Sequence, residues 1–258
     1  MTRVAVVTGA ARGIGAATVR RLAGDGWCVV AVDACADDPD IGYPLARRDE
    51  LDALPALGEV TPVVADVRDV AALGAAVDVA VKSYGGLDAA IAVAGVIAGG
   101  AAHWETQIAA ERAVIDVDLV GVLNLARVGV PALLARPEPR TGRFLAVASS
   151  AATQGLPRLA AYCAAKAGVA GFVRGLAADL RGTGVTANAV SPGSTDTAML
   201  AESARIYDLV DVQVFAGQQP VERLLTPDEV AAALCWLAGE ETGGVTGAVL
   251  PVDGGLSL

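Results

Sequence analysis

Val4-Ala-Val-Val-Thr-Gly-Ala-Ala-Arg-Gly-Ile-Gly15 is the stretch on which the fold turns. Its first half is an apolar run too short for a helix, which suits a strand buried on both faces of a parallel sheet. Its second half places Gly9, Gly13 and Gly15 where a helical pattern, Gly13–Gly24, begins. Glycines there let the backbone approach a ligand closely, and the free N–H groups of a helix start favour an anion such as a pyrophosphate. The spacing is Gly-x-x-x-Gly-x-Gly, not the commoner Gly-x-Gly-x-x-Gly, and a glycine turn alone is often only turn chemistry. Its place at a strand-to-helix junction points to nucleotide binding, with Gly9, Arg12, Gly13, Ile14 and Gly15 as the loop.

Outward from this stretch, apolar runs alternate with helical patterns almost to the end of the chain. Strands are expected at Arg3–Thr8, Trp27–Asp33, Thr61–Ala65, Leu87–Ala94, Arg143–Ala148, Val185–Val190 and Gly247–Val252. Helices are expected at Gly13–Gly24, Val70–Ser83, Glu111–Ala135, Ala160–Arg181 and Pro227–Ala238. Repeated β-α-β units predict a single α/β domain over residues 1–258. It would be a Rossmann-type, doubly wound parallel sheet of about seven strands with helices on both faces. Two connections exceed ordinary loop length: 34–60, rich in Asp and Pro, and 194–226, expected to roof a pocket beyond the sixth strand.

A chain of 258 residues buries a core without metal or disulfide. Cys28, Cys35, Cys163 and Cys235 are scattered and His103 is the lone histidine, so no metal site is expected. The cysteines read as reduced, mostly buried thiols of a cytoplasmic protein. No long run of strongly apolar, uncharged residues predicts a membrane span, and the start lacks the pattern of a secretory signal. A net charge of −10 with dispersed basic residues disfavours nucleic acid and anionic membranes as partners.

Asp33 ends the second strand, where a carboxylate would accept the ribose hydroxyls of NAD and repel the 2′-phosphate of NADP. Two readings compete with it: a strand-end turn residue, and an Arg12 that meets that phosphate. Asp66, after the third strand, falls where the adenine edge would lie. The decisive constellation is Tyr162-Cys-Ala-Ala-Lys166, preceded by Ser149. Residues four apart share one helix face, so phenol and ammonium meet over one cleft. A free tyrosine, with a pKa near 10, is a poor base at neutral pH; a neighbouring cation favours the phenolate and lets it exchange a proton with a substrate oxygen. Ser149 would orient or polarise that oxygen, with Ser150 as its rival. Lys82 and Lys166 are the only lysines, and a lysine in a chain that otherwise uses arginine suggests a task arginine does not serve.

These residues resemble the classical short-chain dehydrogenase/reductase family over essentially the whole chain. The resemblance assigns Thr8–Gly15 to the cofactor loop, Asp66-Val67 to the adenine contact, and Ser149, Tyr162 and Lys166 to catalysis. It assigns Ala94 and Gly95 to the cofactor cleft, and Ser191-Pro192-Gly193 with Thr195 and Thr197 to the nicotinamide carboxamide. Val252-Asp253-Gly254-Gly255 resembles the usual C-terminal end. It implies NAD, a small alcohol or carbonyl substrate, and a homotetramer paired through the long central helices. Two departures stand out. The family's Asn-Asn-Ala-Gly is Ala92-Val93-Ala94-Gly95 here, and Asp118 stands where the family has a catalytic Asn before a Leu.

A narrower resemblance, to the mycofactocin-coupled branch, rests on Cys35–Ala46, Gly155–Tyr162 and Ser191–Leu200. It implies an actinobacterial cytosolic enzyme whose NAD stays bound and passes electrons to mycofactocin. The length of the 34–60 connection and its start directly after Asp33 point the same way, with the apolar centre Tyr43-Pro44-Leu45 closing over the adenine; the competing reading is a polar surface loop of no consequence. Other readings are a reductase of acyl-carrier thioesters with exchangeable NADPH, which the acidic surface and Asp33 oppose, and a non-catalytic nucleotide-binding regulator, which needs no Ser-Tyr-Lys set. His103-Trp104 reads as substrate contact or packing, as do Met199, Tyr207 and Phe215 of the roof.

Overall fold

Successive residues of β1 (Val4–Thr8) point to opposite faces of the sheet, and all five are buried. Val4 and Val6 join one core layer while Ala5 and Val7 join the other. The computed structural model, which describes residues 2–258, builds six more parallel strands around this one, seven in all. They are β2 (Cys28–Asp33), β3 (Val60–Val64), β4 (Ala89–Ala92), β5 (Arg143–Val147), β6 (Thr186–Pro192) and β7 (Val249–Val252), in the spatial order β3-β2-β1-β4-β5-β6-β7. The expected doubly wound sheet is therefore present.

One face is covered by α3 (Val70–Tyr84), α5 (Gly121–Leu134) and α6 (Ala160–Asp179), through Leu73, Leu125, Val169 and Val173. The other carries α1 (Gly13–Gly24) and α8 (Pro227–Ala238), through Val19, Leu22, Val230 and Leu234. Strand order reverses between β1 and β4, so a crevice opens at their carboxyl ends, where ligands bind in this architecture.

Three expectations change in detail. The long helix from Glu111 begins earlier, as α4 (Ile108–Ile115), and a π turn at Asp116–Val120 joins it to α5. The 27-residue stretch Ile108–Leu134 is apolar enough to cross a membrane, but Val122, Leu125 and Leu133 are buried against the sheet, as in a core helix. The connection 34–60 is not irregular throughout: it carries α2 (Arg48–Asp52) and a 3-10 turn at Leu54–Leu57. Only Cys28 of the four cysteines is buried; the other three are half-buried.

The absent asparagines after β4 are answered by β1. The Thr8 hydroxyl accepts from the Val93 and Ala94 amides at 3.2 and 3.4 Å, bracing the two strand ends that border the crevice.

Candidate active site

Every site residue expected from the sequence except Asp118 lines one cleft of about 1070 Å³ at the carboxyl ends of the strands. Gly9 has φ +65°, and a Cβ there would lie 2.6 Å from the Ala94 Cα, so the glycine loop presses directly on the end of β4. Gly13, at φ +57°, faces the Thr197 methyl, bringing the helix start beside the loop that follows β6. The resulting groove is floored by backbone at a helix start, a surface that favours a phosphate group.

Asp33 closes the β2 end of the groove. Its carboxylate accepts from the Ala11 amide at 3.1 Å and the Cys35 amide at 3.2 Å, which fixes it against the glycine loop. Arg12 points elsewhere: it donates to the Pro44 carbonyl at 2.9 Å and lies 5.9 Å from the Tyr43 ring centre. In this arrangement Arg12 is engaged by the 34–46 segment, while the Asp33 carboxylate stays at the groove. Asp66 is held by Arg68, which also reaches Asp38 at 2.6 Å. Burial would raise the Asp66 carboxyl, but its hydrogen bonds from Arg68 hold it below the usual carboxylate value.

The 34–46 segment crosses the cleft instead of ending over the adenosine side. Ile41 is buried in a cluster with Val96, Ile97, Leu159 and Tyr162, and Tyr43 packs against the same cluster. Gly42 meets Arg205 of α7 (Ala198–Ile206), the helix of the expected roof. The apolar residues read from the sequence are packed, but Tyr43 and Leu45 lie against the cluster that holds Tyr162 and not at the adenosine end. Residue spacing places the start of the segment after β2 at Asp33, but not how far a proline-containing loop travels.

At the catalytic end, α6 brings Tyr162 and Lys166 to one face, both buried, with the Lys166 Nζ 5.6 Å from the tyrosine ring centre. Lys166 donates to the Val147 carbonyl at 3.2 Å, at the end of β5. Ser149 follows β5 by two residues and accepts from the Ala151 amide at 3.1 Å. Burial pushes the Tyr162 phenol above its ordinary value; Lys166 and a hydrogen bond with Ser149 pull it back, while Asp118 adds to the rise. Ser150 is buried in the short 3-10 turn that follows, and both serines line the cleft.

Asp118 lies behind this face, fully buried on the π turn, with Oδ2 3.2 Å from the Lys166 Nζ and Oδ1 accepting from the Val96 amide at 2.7 Å. Beyond Tyr162 the cleft is walled by Ile97, Leu156, Met199, Tyr207, Val214 and Phe215. The roof residues thus face the pocket, whereas His103 pairs with Glu111 at 2.7 Å and Trp104 is 84% exposed, far from packing of either kind. Gln219 was invisible in the sequence. Buried, it accepts from the Ser194 amide at 2.8 Å and donates to the Arg223 carbonyl at 2.6 Å, tying both ends of the roof together.

A glycine-floored groove at a helix start meets a buried tyrosine–lysine face at an apolar pocket, the arrangement of a dinucleotide-dependent oxidoreductase. The family model described as enoyl-(acyl carrier protein) reductase matches residues 9–257. The cis-4-hydroxycyclohexanecarboxylate dehydrogenase of Sinomonas cyclohexanicum is 39% identical, with 98% of this chain and 96% of the relative covered. The (−)-trans-carveol dehydrogenase of Rhodococcus erythropolis is 36% identical over 99% of this chain and 98% of its own. The crystal structure of carveol dehydrogenase from Mycobacterium avium in complex with NAD superposes with a TM-score of 0.93 at 30% identity, covering 98% of this chain and 97% of that one. The chain belongs to the short-chain dehydrogenase/reductase family, and it is an oxidoreductase.

Proposed function

We propose that the protein oxidises neutral, largely apolar alcohols, or reduces the matching ketones, with NAD as its cofactor. The observation that carries this reading is Tyr162, buried beside Lys166 where the backbone groove meets an apolar pocket. Arg12, Arg68, Asp33 and Asp66 lie along the groove, whereas the pocket wall beyond Tyr162 offers no ionic partner for a charged substrate. The relatives named for alicyclic alcohols support the same class.

Gly13, Ile14 and Gly15 present the helix start to the pyrophosphate, with Gly9 giving clearance and Arg12 holding the flap. Asp33 takes the adenosine ribose, Asp66 and Val67 border the adenine, and Ala94 and Gly95 line the groove beside β4. Lys166 holds the nicotinamide ribose; Pro192, Gly193, Thr195 and Thr197 form the wall for the carboxamide. NAD supplies the hydride acceptor, or NADH the donor, when bound. Tyr162 Oη takes the proton of the substrate hydroxyl, Lys166 favours the phenolate, and Ser149 orients the substrate oxygen.

The flap supports a further step in this reading: NAD stays bound through turnover, with mycofactocin as its electron acceptor. The segment is pinned at both sides of the cleft, by Arg12 and Arg68 on one and by α7 on the other. Release then requires it to open, which slows dissociation without touching the chemistry. Exposed Ala164, Ala167 and Gly171 on α6, beside exposed Ile108, suit close pairing of helices between copies in a cytoplasmic homotetramer.

The test is a panel of alcohols added to native protein while reduced-nicotinamide absorbance is followed. Neutral cyclic secondary alcohols should give the largest change; a response confined to charged hydroxy acids sinks the assignment. Dialysed protein that is then denatured should yield near-stoichiometric NAD, and less after residues 36–46 are shortened. Protein that purifies free of NAD yet turns over with added NAD removes the flap from its role. Light scattering that gives a monomer mass removes the tetramer.

A further inference from the structure

We propose that Asp118 is a positioning residue: its carboxylate is the counter-ion of Lys166 and so limits how strongly Lys166 favours the phenolate of Tyr162. The inference rests on the reading of Tyr162 as proton acceptor, and it concerns a carboxylate at a position where the family resemblance implies an amide.

The geometry carries it. Lys166 is 3% exposed and Asp118 0%, so neither charge has water as a partner. Buried charges of this kind are stable only when paired. The Asp118 Oδ2 is 3.2 Å from the Lys166 Nζ, without the alignment of a hydrogen bond, while the tyrosine ring centre is 5.6 Å away. The π turn at Asp116–Val120 sets this up, because the extra residue in the turn swings Asp118 inward while Asp116 stays exposed. Two glycines make the fit possible. A Cβ at Gly168 would lie 2.9 Å from Leu119, and one at Gly121 would lie 2.6 Å from Val67, so the turn is wedged between α6 and the end of β3. Gly95 covers the pair, its Cβ position 3.3 Å from the Lys166 Nζ and 3.4 Å from the Asp118 Oδ2.

Charge balance follows from these contacts. With Asp118 ionised, the site already holds one cation and one anion, and a Tyr162 phenolate is a second anion beside a single ammonium. With a neutral residue at 118, the phenolate becomes the partner that Lys166 lacks. Burial alone would lower the Lys166 ammonium, but Asp118 and Tyr162 opposite it outweigh burial and raise it. The other titratable groups facing the pair are Cys163 on α6 and Tyr43 on the flap, with Arg12 behind Tyr43. The ends of β4 and β5 offer the Val96 amide, the Val147 carbonyl and Ser149, and α7 offers Met199, whose sulfur is 3.8 Å from the Tyr162 hydroxyl.

The test is direct titration of Tyr162 in the full-length protein by tyrosinate absorbance. Each spectrum is subtracted from that of the matching Tyr162→Phe protein, with far-ultraviolet dichroism confirming the fold at each pH. In Asp118→Asn the Tyr162 signal should appear about one to three pH units lower than in the unaltered chain. Asp118→Glu, which keeps the charge, should restore the original position. Asp118→Ser, which can still accept from the Val96 amide, repeats the measurement where the asparagine variant does not fold. A signal that stays in place or moves upward in both neutral variants overturns the proposal, since a purely structural Asp118 would change stability alone. No substrate is used, so this failure is distinguishable from a wrong reading of the reaction.

Discussion

At the β1–β3 half of the cleft, the ionic groups hold one another at the rim: Arg68 is 39% exposed and bridges Asp38 and Asp66. At the β4–β6 half, Lys166 is 3% exposed and Asp118 not at all. Water screens the first set and leaves the backbone floor of the groove to do the binding. The second set has only its own members to balance charge, so each residue there is coupled to the others. The same cleft should therefore respond to substitution through affinity at one end and through rate, stability and pH at the other.

The widest separation should come from Tyr162→Phe. Loss of the phenolic oxygen is expected to lower kcat and kcat/KM together by about 10²–10⁴, with NAD affinity by calorimetry nearly unchanged. More than about a tenth of the activity remaining would place the proton transfer elsewhere. The pH dependence has a definite sign. Burial raises the Tyr162 phenol and alcohol oxidation needs its basic form, so oxidation should climb with pH from neutral into the alkaline range.

Asp118→Ala tests the isolation of the inner pair. Removing one partner of a buried ion pair leaves an uncompensated charge and is expected to destabilise the fold by about 3–5 kcal/mol in thermal or denaturant unfolding. A loss of less than about 1 kcal/mol, the range of exposed pairs, would erase the distinction between the two halves.

Asp33→Ser works in the other half and should leave kcat with saturating NAD close to that of the parent. It is expected to shift the NAD-to-NADP affinity ratio toward NADP by about tenfold, or roughly 1.4 kcal/mol. An unchanged ratio would mean that the amide contacts of Asp33, and not its charge, are what the site uses. The smallest effect belongs to Arg68→Ala, expected to cost under about 1 kcal/mol of stability because the arginine is partly exposed. It should nevertheless speed loss of NAD on dialysis by freeing Asp38 of the flap. Because Arg68 holds the Asp66 carboxyl below its ordinary value of 3.8, the stability it adds is present above that value and fades as pH falls below it.

Much of this was legible beforehand. The strand-to-helix run Val4–Gly15, the Asp33 carboxylate and the Tyr162–Lys166 spacing depend on periods of the backbone, and a period is written in the order of residues. Gly9, Gly13, Gly15, Asp33, Tyr162 and Lys166 fall together in one cleft. The direction of Arg12, the reach of the 34–46 segment, the bracing by Thr8 and Gln219, and the partner of Asp118 were not legible.

The parallel sheet, the glycine loop at a helix start and the tyrosine–lysine face follow from the amino-acid order alone, because local spacing fixes which side chains share a side of a strand or helix. Only the tertiary structure decided that Tyr43 crosses to the catalytic end, that Arg12 turns to Pro44, and that Asp118 meets Lys166 in the dark behind Gly95. Those contacts join segments tens of residues apart, and the π turn that aims Asp118 inward depends on how closely Gly121 and Gly168 let the neighbouring elements approach. A charge's meaning depends on what surrounds it. Asp118 and Asp66 are the same residue type in the sequence, yet water reaches one and not the other.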